Sequence, residues 1–217
     1  MRVLALDTAT SRGSIALLNG ATVVREETLR APAGFSEIVF GSIDAILKTS
    51  GWSLDQVDLF AATSGPGSFT GVRIGLSAIK ALAYATGKPA VGISTLRALA
   101  ACGSKPRRAV LLDARRGEVY AGLYDSDFHL VSPEVVLDLE TWFLHFSGHA
   151  DELLIRDLAE SVLPSVAIPL SDPLNLAGAV GRVAFQDVTS NQQDRSPDLI
   201  DANYVRRADA ELKWVDR

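Results

Sequence analysis

A glycine-rich turn between an apolar run and a long helical pattern constrains this chain more than any other stretch. The turn reads Gly65-Pro66-Gly67-Ser68-Phe69-Thr70-Gly71 and follows the apolar run 58–63. A buried strand that passes through such a turn into a helix is where α/β proteins place a ligand or a partner. The turn lacks the Gly-Lys-Ser/Thr ending of a Walker sequence. The pattern therefore favours a close approach of backbones, stiffened by Pro66, over a phosphate-binding loop.

The helix predicted over Phe69–Thr86 carries little polar surface. At about 100° per residue, its polar side chains fall on one narrow stripe, formed by Arg73, Ser77, Lys80 and Tyr84. Two apolar stripes flank it, one of Val72, Leu76, Ile79 and Ala83 and another of Ile74, Ala78, Ala81, Leu82 and Ala85. Such a helix is covered on more than one side. We expect one stripe to face a sheet and the other a partner, and the sequence leaves open which is which.

Composition narrows the class of protein. The chain has 217 residues, 47 % of them hydrophobic, with a net charge of −5 and a single cysteine, Cys102. These values predict a globular protein of one large or two small domains, without a membrane span and in a reducing cytoplasm. The acidic balance argues against a protein that binds nucleic acid alone. Contacts to RNA through the basic pairs 107–108, 115–116 and 206–207 would be indirect or shared.

The order of predicted elements indicates an α/β fold with an internal duplication. The first half is predicted to have a ribonuclease-H-like arrangement. Its elements are three strands over 3–28, a helix over 37–48, a strand over 58–63, the long helix, a strand over 89–94 and a helix over 96–101. After a linker at 105–108, an apolar strand again ends in Asp and enters an Arg-Gly turn, 106 residues later at Asp113. We predict two domains with mixed sheets, 1–104 and 105–217. In the second domain we expect further strands near 135–137, 153–155 and 166–170, helices near 141–146 and 174–186, and a loop over 187–200.

Candidate chemistry concentrates after the first strand. Asp7, Thr8 and Thr10 could contact a metal or a phosphate, because carboxylate, hydroxyls and turn amides converge at such a strand end. The favoured interpretation is that Asp7 and Thr8 bond to the turn backbone. His145 and His149 have helical metal spacing but no third ligand is indicated, and neither a serine triad nor a thiol nucleophile is supported.

Four motifs resemble the bacterial TsaB (YeaZ) family, whose members are non-catalytic paralogues of TsaD. They are Leu4-Ala5-Leu6-Asp7-Thr8-Ala9-Thr10, the run from Gly65 to Gly75, Ile93-Ser94-Thr95-Leu96 and the run from Asp113 to Tyr120. The Gly-Pro-Gly-Ser-Phe-Thr-Gly run is specific to that family. The resemblance implies a two-domain, actin-like ATPase (ASKHA) architecture and a part in adding threonylcarbamoyl to adenosine beside the anticodon of transfer RNA.

The resemblance also implies partners and the absence of a catalytic centre. TsaD carries a His-x-x-x-His metal pair where this chain has Thr95 and Leu99, so we expect neither metal nor cofactor. Family members form a heterodimer with TsaD, join TsaE in a larger assembly, and form homodimers when alone, through helices of the first domain. The predicted interface residues are Phe40, Leu47, Val72, Leu76, Ile79 and Ala83, and the candidate vestigial nucleotide contacts are Asp7, Thr8 and Thr10.

Two other function classes stay open at this point. One is an enzyme with its own active site, either an ATP-dependent transferase or a glycoprotease-like peptidase. The other is a homodimeric interaction protein unrelated to transfer RNA. Binding of ATP and Mg²⁺ that depends on Asp7 would favour the enzyme.

Overall fold

The computed structural model describes residues 1–31, 34–163, 168–190, 196–203 and 205, and it contains two mixed five-stranded sheets. The first sheet has the order β3-β2-β1-β4-β5 and is formed by β1 (Arg2–Asp7), β2 (Gly13–Asn19), β3 (Thr22–Leu29), β4 (Leu59–Gly65) and β5 (Ala90–Ser94). The second has the order β10-β9-β6-β7-β8 and is formed by β6 (Arg108–Arg115), β7 (Glu118–Tyr124), β8 (Leu130–Asp138), β9 (Glu152–Arg156) and β10 (Leu170–Ser171).

The two sheets share one strand plan, which confirms the predicted α/β class and the pair of ribonuclease-H-like halves. In each, the first strand lies at the centre, pairs antiparallel with the second strand and pairs parallel with the fourth. The central strands β1 and β6 are apolar nearly throughout, as strands buried on both faces require. The carboxyl ends of β1 and β6 carry Asp7 and Asp113, so the residues that marked the duplication hold equivalent positions.

Within the residues that the structure describes, five α-helices cover the sheets. They are α1 (Val39–Thr49), α2 (Phe69–Thr86), α3 (Thr95–Ala100), α4 (Leu139–Phe146) and α5 (Ala177–Thr189), with short 3-10 turns at 35–37, 54–56, 147–149, 160–162 and 197–199. Helices α1 and α2 build one core with one face of the first sheet. Helix α5 follows the second sheet in the chain but packs on the other face of the first sheet, where Gly181 lies against the Leu18 side chain. The predicted division at 104/105 stays a prediction, and α5 is the element that crosses it.

Several element bounds differ from the predicted ones. Strand β8 is longer than the three residues expected, and residues 166–167 of the predicted strand at 166–170 lie outside the described residues. The predicted loop over 187–200 is wrong at its start, since helix α5 continues to Thr189, and residues 191–195 lie outside the described residues. The buried Asp187 of this last turn forms a bidentate ion pair with Arg97 of α3. At the other end, residues 197–199 form a 3-10 turn and Ile200 is buried in the core that α2 covers.

Helix α2 begins and ends at defined capping residues. The Ser68 hydroxyl accepts a hydrogen bond from the Gly71 amide, and Gly87 ends the helix in the left-handed conformation with φ 65°. The first turn lies directly on the loop after β1. A Cβ atom on Gly71 would come within 1.9 Å of the Thr8 carbonyl oxygen, and one on Gly67 within 2.3 Å of the Ala9 carbonyl oxygen. The close backbone approach predicted for this turn is therefore confirmed.

We predict that Gly71→Ala destabilises the protein by about 3 kcal/mol, because the new methyl group would overlap a backbone carbonyl that cannot rotate away. Gly41→Ala is the matched control, since an added Cβ on this exposed residue of α1 meets nothing within 4 Å. Alanine there should raise stability by about 0.5–1 kcal/mol. Urea unfolding followed by circular dichroism measures both. Equal midpoints for the two variants would contradict the close-packing interpretation.

Candidate functional site

The outer faces of α1 and α2 form an exposed, largely apolar groove. Three aromatic side chains stand out: Phe40 is 53 % exposed, Phe69 48 % and Tyr84 59 %. The groove has a volume of about 600 Å³ and is lined by Ser36, Val39, Phe40, Phe69, Thr70, Arg73, Ile74, Ser77, Ala78 and Ala81. Exposed apolar patches with a polar rim mark interaction surfaces more often than chance. Phe40, one of the predicted interface residues, therefore lies on the exposed face of α1 beside α2.

A cation–π pair organises one wall of this groove. The Arg73 guanidinium carbon lies 3.8 Å from the centroid of the Phe69 ring. The two residues are four apart on α2, so their side chains meet on one helix face. Arginine and aromatic side chains are enriched among the residues that carry binding energy at protein interfaces. In the predicted polar stripe of α2, Arg73, Ser77 and Tyr84 are exposed and Lys80 is half-buried, and Arg73 and Ser77 line the groove.

The prediction of the interface residues is wrong for five of the six, because they do not lie in the groove. Phe40 is on the exposed face, whereas the other five are buried in the core between the helices and the first sheet: Leu47, Val72, Leu76, Ile79 and Ala83. The stripe of four on α2 faces the sheet because the helix meets the sheet with its larger aliphatic side chains. These side chains stabilise the fold and are not available to a partner.

A second concavity of about 430 Å³ opens between the two sheets. The loop after β1, the first turn of α2 and the end of β6 form the walls of this cleft. Its lining includes Thr10, Ser11, Phe35, Gly67, Ser68, Thr70, Ile74, Asp113, Ala114, Arg115, Tyr120 and Asp157. Asp157 joins the two halves, since its carboxylate accepts hydrogen bonds from the Ser11 amide at 2.9 Å and the Ser11 hydroxyl at 2.6 Å. The cleft shares Thr70 and Ile74 with the groove.

The candidate nucleotide contacts are buried and engaged within the chain. The Oδ1 atom of Asp7 accepts hydrogen bonds from the Ala9 amide and the Thr63 hydroxyl, both at 3.0 Å. The Thr8 hydroxyl donates to the Gly71 carbonyl oxygen at 2.7 Å. The Thr10 hydroxyl, at the edge of the cleft, donates to a backbone carbonyl. These bonds agree with the favoured interpretation of Asp7 and Thr8 as turn-stabilising residues.

Sequence reasoning missed Arg156, which ends β9 and is fully buried beside Asp7. The Asp7 carboxylate lies 3.6 Å from the Arg156 guanidinium. Burial raises the pKa of Asp7, and the positive charge of Arg156 opposes part of that rise. A single arginine at the end of a short strand gives no periodic signal, so only its place in the fold connects it with Asp7.

The other sequence candidates are distributed over the molecule. Thr95 and Leu99 are fully buried on α3, and the described residues contain no group of three or more His, Cys, Asp or Glu side chains placed to hold a metal. Burial raises the pKa of the Cys102 thiol to about 11, which keeps it protonated near neutral pH. Arg107 pairs with Asp151 at the surface, and the pair 206–207 lies outside the described residues.

Long apolar helices of the membrane-spanning kind are absent from the portion of the chain that the structure describes.

We predict that Leu76→Glu abolishes folding, because an unpaired carboxylate in the core beneath α2 costs several kcal/mol. Ser77→Glu is the matched control, one residue further on the same helix and exposed. It should change stability by less than about 0.5 kcal/mol. Thermal unfolding of the two variants checks the orientation of α2. A stable Leu76→Glu protein with an unstable Ser77→Glu protein would contradict it.

Comparison with known proteins gives concordant results. The family model "TsaD: tRNA N6-adenosine threonylcarbamoyltransferase" matches residues 30–212. The "tRNA threonylcarbamoyladenosine biosynthesis protein TsaB" of Bacillus subtilis is 29 % identical over 238 aligned positions, which cover 100 % of this chain and 99 % of that protein. The protein of the same name from Escherichia coli is 39 % identical over 148 residues, 64 % of each chain.

Among solved structures, "YeaZ from Pseudomonas aeruginosa" superposes with a TM-score of 0.80 at 26 % identity, covering 94 % of this chain and 99 % of that one. The agreement extends over both sheets, because nearly all of each chain is included. Three other observations agree with this superposition: the Gly65–Gly71 turn, the duplicated strand plan and the match of the family model over residues 30–212. This chain belongs to the TsaB (YeaZ) family, which is homologous to the TsaD family.

Proposed function

We propose that this protein is a non-catalytic subunit in the biosynthesis of threonylcarbamoyladenosine in transfer RNA, and that it activates a TsaD-type paralogue by binding it through the groove between α1 and α2. The pathway is taken from the names of the relatives. The observation that carries the binding mode is the exposed aromatic face of this groove, where Phe40 and Phe69 are each about half exposed.

The groove has the composition of an interface core. Aromatic residues and arginine are enriched in interfaces. Here Phe40 and the stacked Phe69–Arg73 pair surround the small residues Ala78 and Ala81, which let a partner helix come close. The same face would serve for a homodimer when TsaD is absent. TsaE would join the assembly of the two paralogues, and the carbamoyl-adenylate would be supplied by TsaC.

Two features support a role without catalysis. Thr95 and Leu99 occupy the positions of the paired histidines of TsaD, and both side chains are buried in the core around α3, where neither can replace an imidazole ligand. The second feature is the cleft, where Asp7 and Thr8 are already bonded to the protein's own groups. Contact with transfer RNA would be shared with the paralogue, since the chain carries a net charge of −5.

The alternative function, an enzyme with its own active site, requires the cleft to bind a nucleotide. An ATP-dependent transferase would bind ATP and Mg²⁺ at micromolar concentration and lose that binding in Asp7→Ala. Isothermal titration therefore separates the two functions, and we expect no such binding from the isolated protein.

We predict that Phe40→Glu leaves the protein folded but abolishes co-migration with the cognate TsaD on size exclusion, because the carboxylate would be desolvated in the interface. A loss of at least about 2 kcal/mol, roughly thirtyfold in Kd, is expected for a central aromatic residue. Modification of transfer RNA, reconstituted with TsaC, TsaD and TsaE, should fall to the level seen when this subunit is omitted.

Leu144→Glu is the control for that experiment. Leu144 is 80 % exposed on α4 of the second half, far along the chain from the groove, so its variant should bind and stimulate TsaD like the unmodified protein. The proposal fails if Phe40→Glu and Leu144→Glu behave alike. It also fails if omission of the subunit leaves modification unchanged.

A further inference from the structure

A buried arginine of the second half reaches the loop after β1 of the first half, next to Thr10 at the edge of the cleft. Arg156 ends β9 of the second sheet, and Asp7 ends β1 of the first sheet. Both side chains are completely inaccessible to solvent. Charged side chains are rarely buried to this degree unless they are paired.

The guanidinium is bonded to both halves at once. Toward the first half, its Nε donates to the Thr10 hydroxyl at 3.1 Å and its Nη2 donates to the Arg12 carbonyl oxygen. Toward the segment that leads into α5, its Nη1 donates to the Leu174 carbonyl oxygen at 2.9 Å and to the Pro173 carbonyl oxygen. The planar fork of arginine suits such divergent bonds, and lysine, with a single ammonium group, cannot reproduce them.

The charge of Arg156 is also needed by Asp7. The Oδ2 atom of Asp7 is buried and accepts no hydrogen bond within the described residues, and the Arg156 guanidinium lies 3.6 Å away. A buried carboxylate left without a nearby cation is strongly destabilising. Several other polar contacts between the halves are more accessible, namely Ser11–Asp157, Arg12–Asp172 and Thr28–Asn175, and exposed contacts contribute little to stability. The largely buried Arg97–Asp187 ion pair and the buried bonds from the Leu176 and Ala177 amides to the Ser14 hydroxyl add to the junction.

We propose that Arg156 is a built-in cation that locks the two halves in one orientation without a bound ligand. It neutralises Asp7 from within the chain and bonds to the loop after β1, beside the cleft. This role belongs to the isolated chain and requires no partner.

Chemical rescue tests this assignment. Arg156→Ala should lower the melting temperature by about 10 °C. Guanidinium chloride at about 10 mM, far below denaturing concentrations, should recover a substantial part of that loss, whereas NaCl at the same concentration should not. Arg107→Ala is the matched control, because it removes the arginine of an exposed pair with Asp151. Its melting temperature should change by less than about 2 °C and should not respond to guanidinium.

Arg156→Lys keeps the test decisive if the alanine variant does not fold. Lysine retains the positive charge but lacks the planar guanidinium group and its hydrogen bonds. Amide hydrogen exchange should therefore accelerate at least tenfold at residues 9–12 and 174–177, whereas the exchange rates in α1 should stay unchanged. The proposal is overturned if Arg156→Ala melts like Arg107→Ala, or if guanidinium stabilises both variants equally. It is equally overturned if exchange in Arg156→Lys is unchanged at the junction or increases uniformly over the chain.

Discussion

The fold depends on the close approach between the first turn of α2 and the loop after β1. Gly71 lies against the Thr8 carbonyl oxygen, and the Thr8 hydroxyl donates to the Gly71 carbonyl oxygen at 2.7 Å. Because no Cβ stands between these backbones, α2 lies flat on the central strands and its aliphatic stripe is buried. The same contact places Arg73, Ser77 and Ala81 outward and directs the N-terminal end of α2 toward the cleft.

The orientation of α2 separates stability from recognition along one helix. Its inward residues belong to the core shared with α1 and the sheet, whereas its outward residues line the groove. A helix that is apolar on most of its circumference can bury either face against a sheet. The face that is buried is the one whose side chains best fill the space above the sheet. Phe40 and Phe69 lie outside this core, and their exposure supports the binding role proposed for the groove.

The C-terminal part of the chain returns to the first half and completes its core. Helix α5 covers one face of the first sheet, and Ile200 is buried on the other. The Asn203 amide then bonds to the Ser64 carbonyl oxygen at 2.6 Å, and Tyr84 of α2 bonds to Asp198. Packing of this kind between distant segments explains why the two halves are joined by more than the linker at 105–108.

The sequence by itself determined the succession of most strands and helices along the chain, the bounds of α2 and the role of the glycines, because strand periodicity, capping residues and turn chemistry act over a few neighbours. It also determined the family, through the Gly65–Gly71 turn. Only the tertiary structure decided that Val72, Leu76 and Ile79 face the sheet, that α5 crosses to the first half and that Arg156 meets Asp7. Those outcomes depend on the volume and charge of residues far apart in the chain, such as Asp7 and Arg156 or Leu18 and Gly181, which no local pattern records.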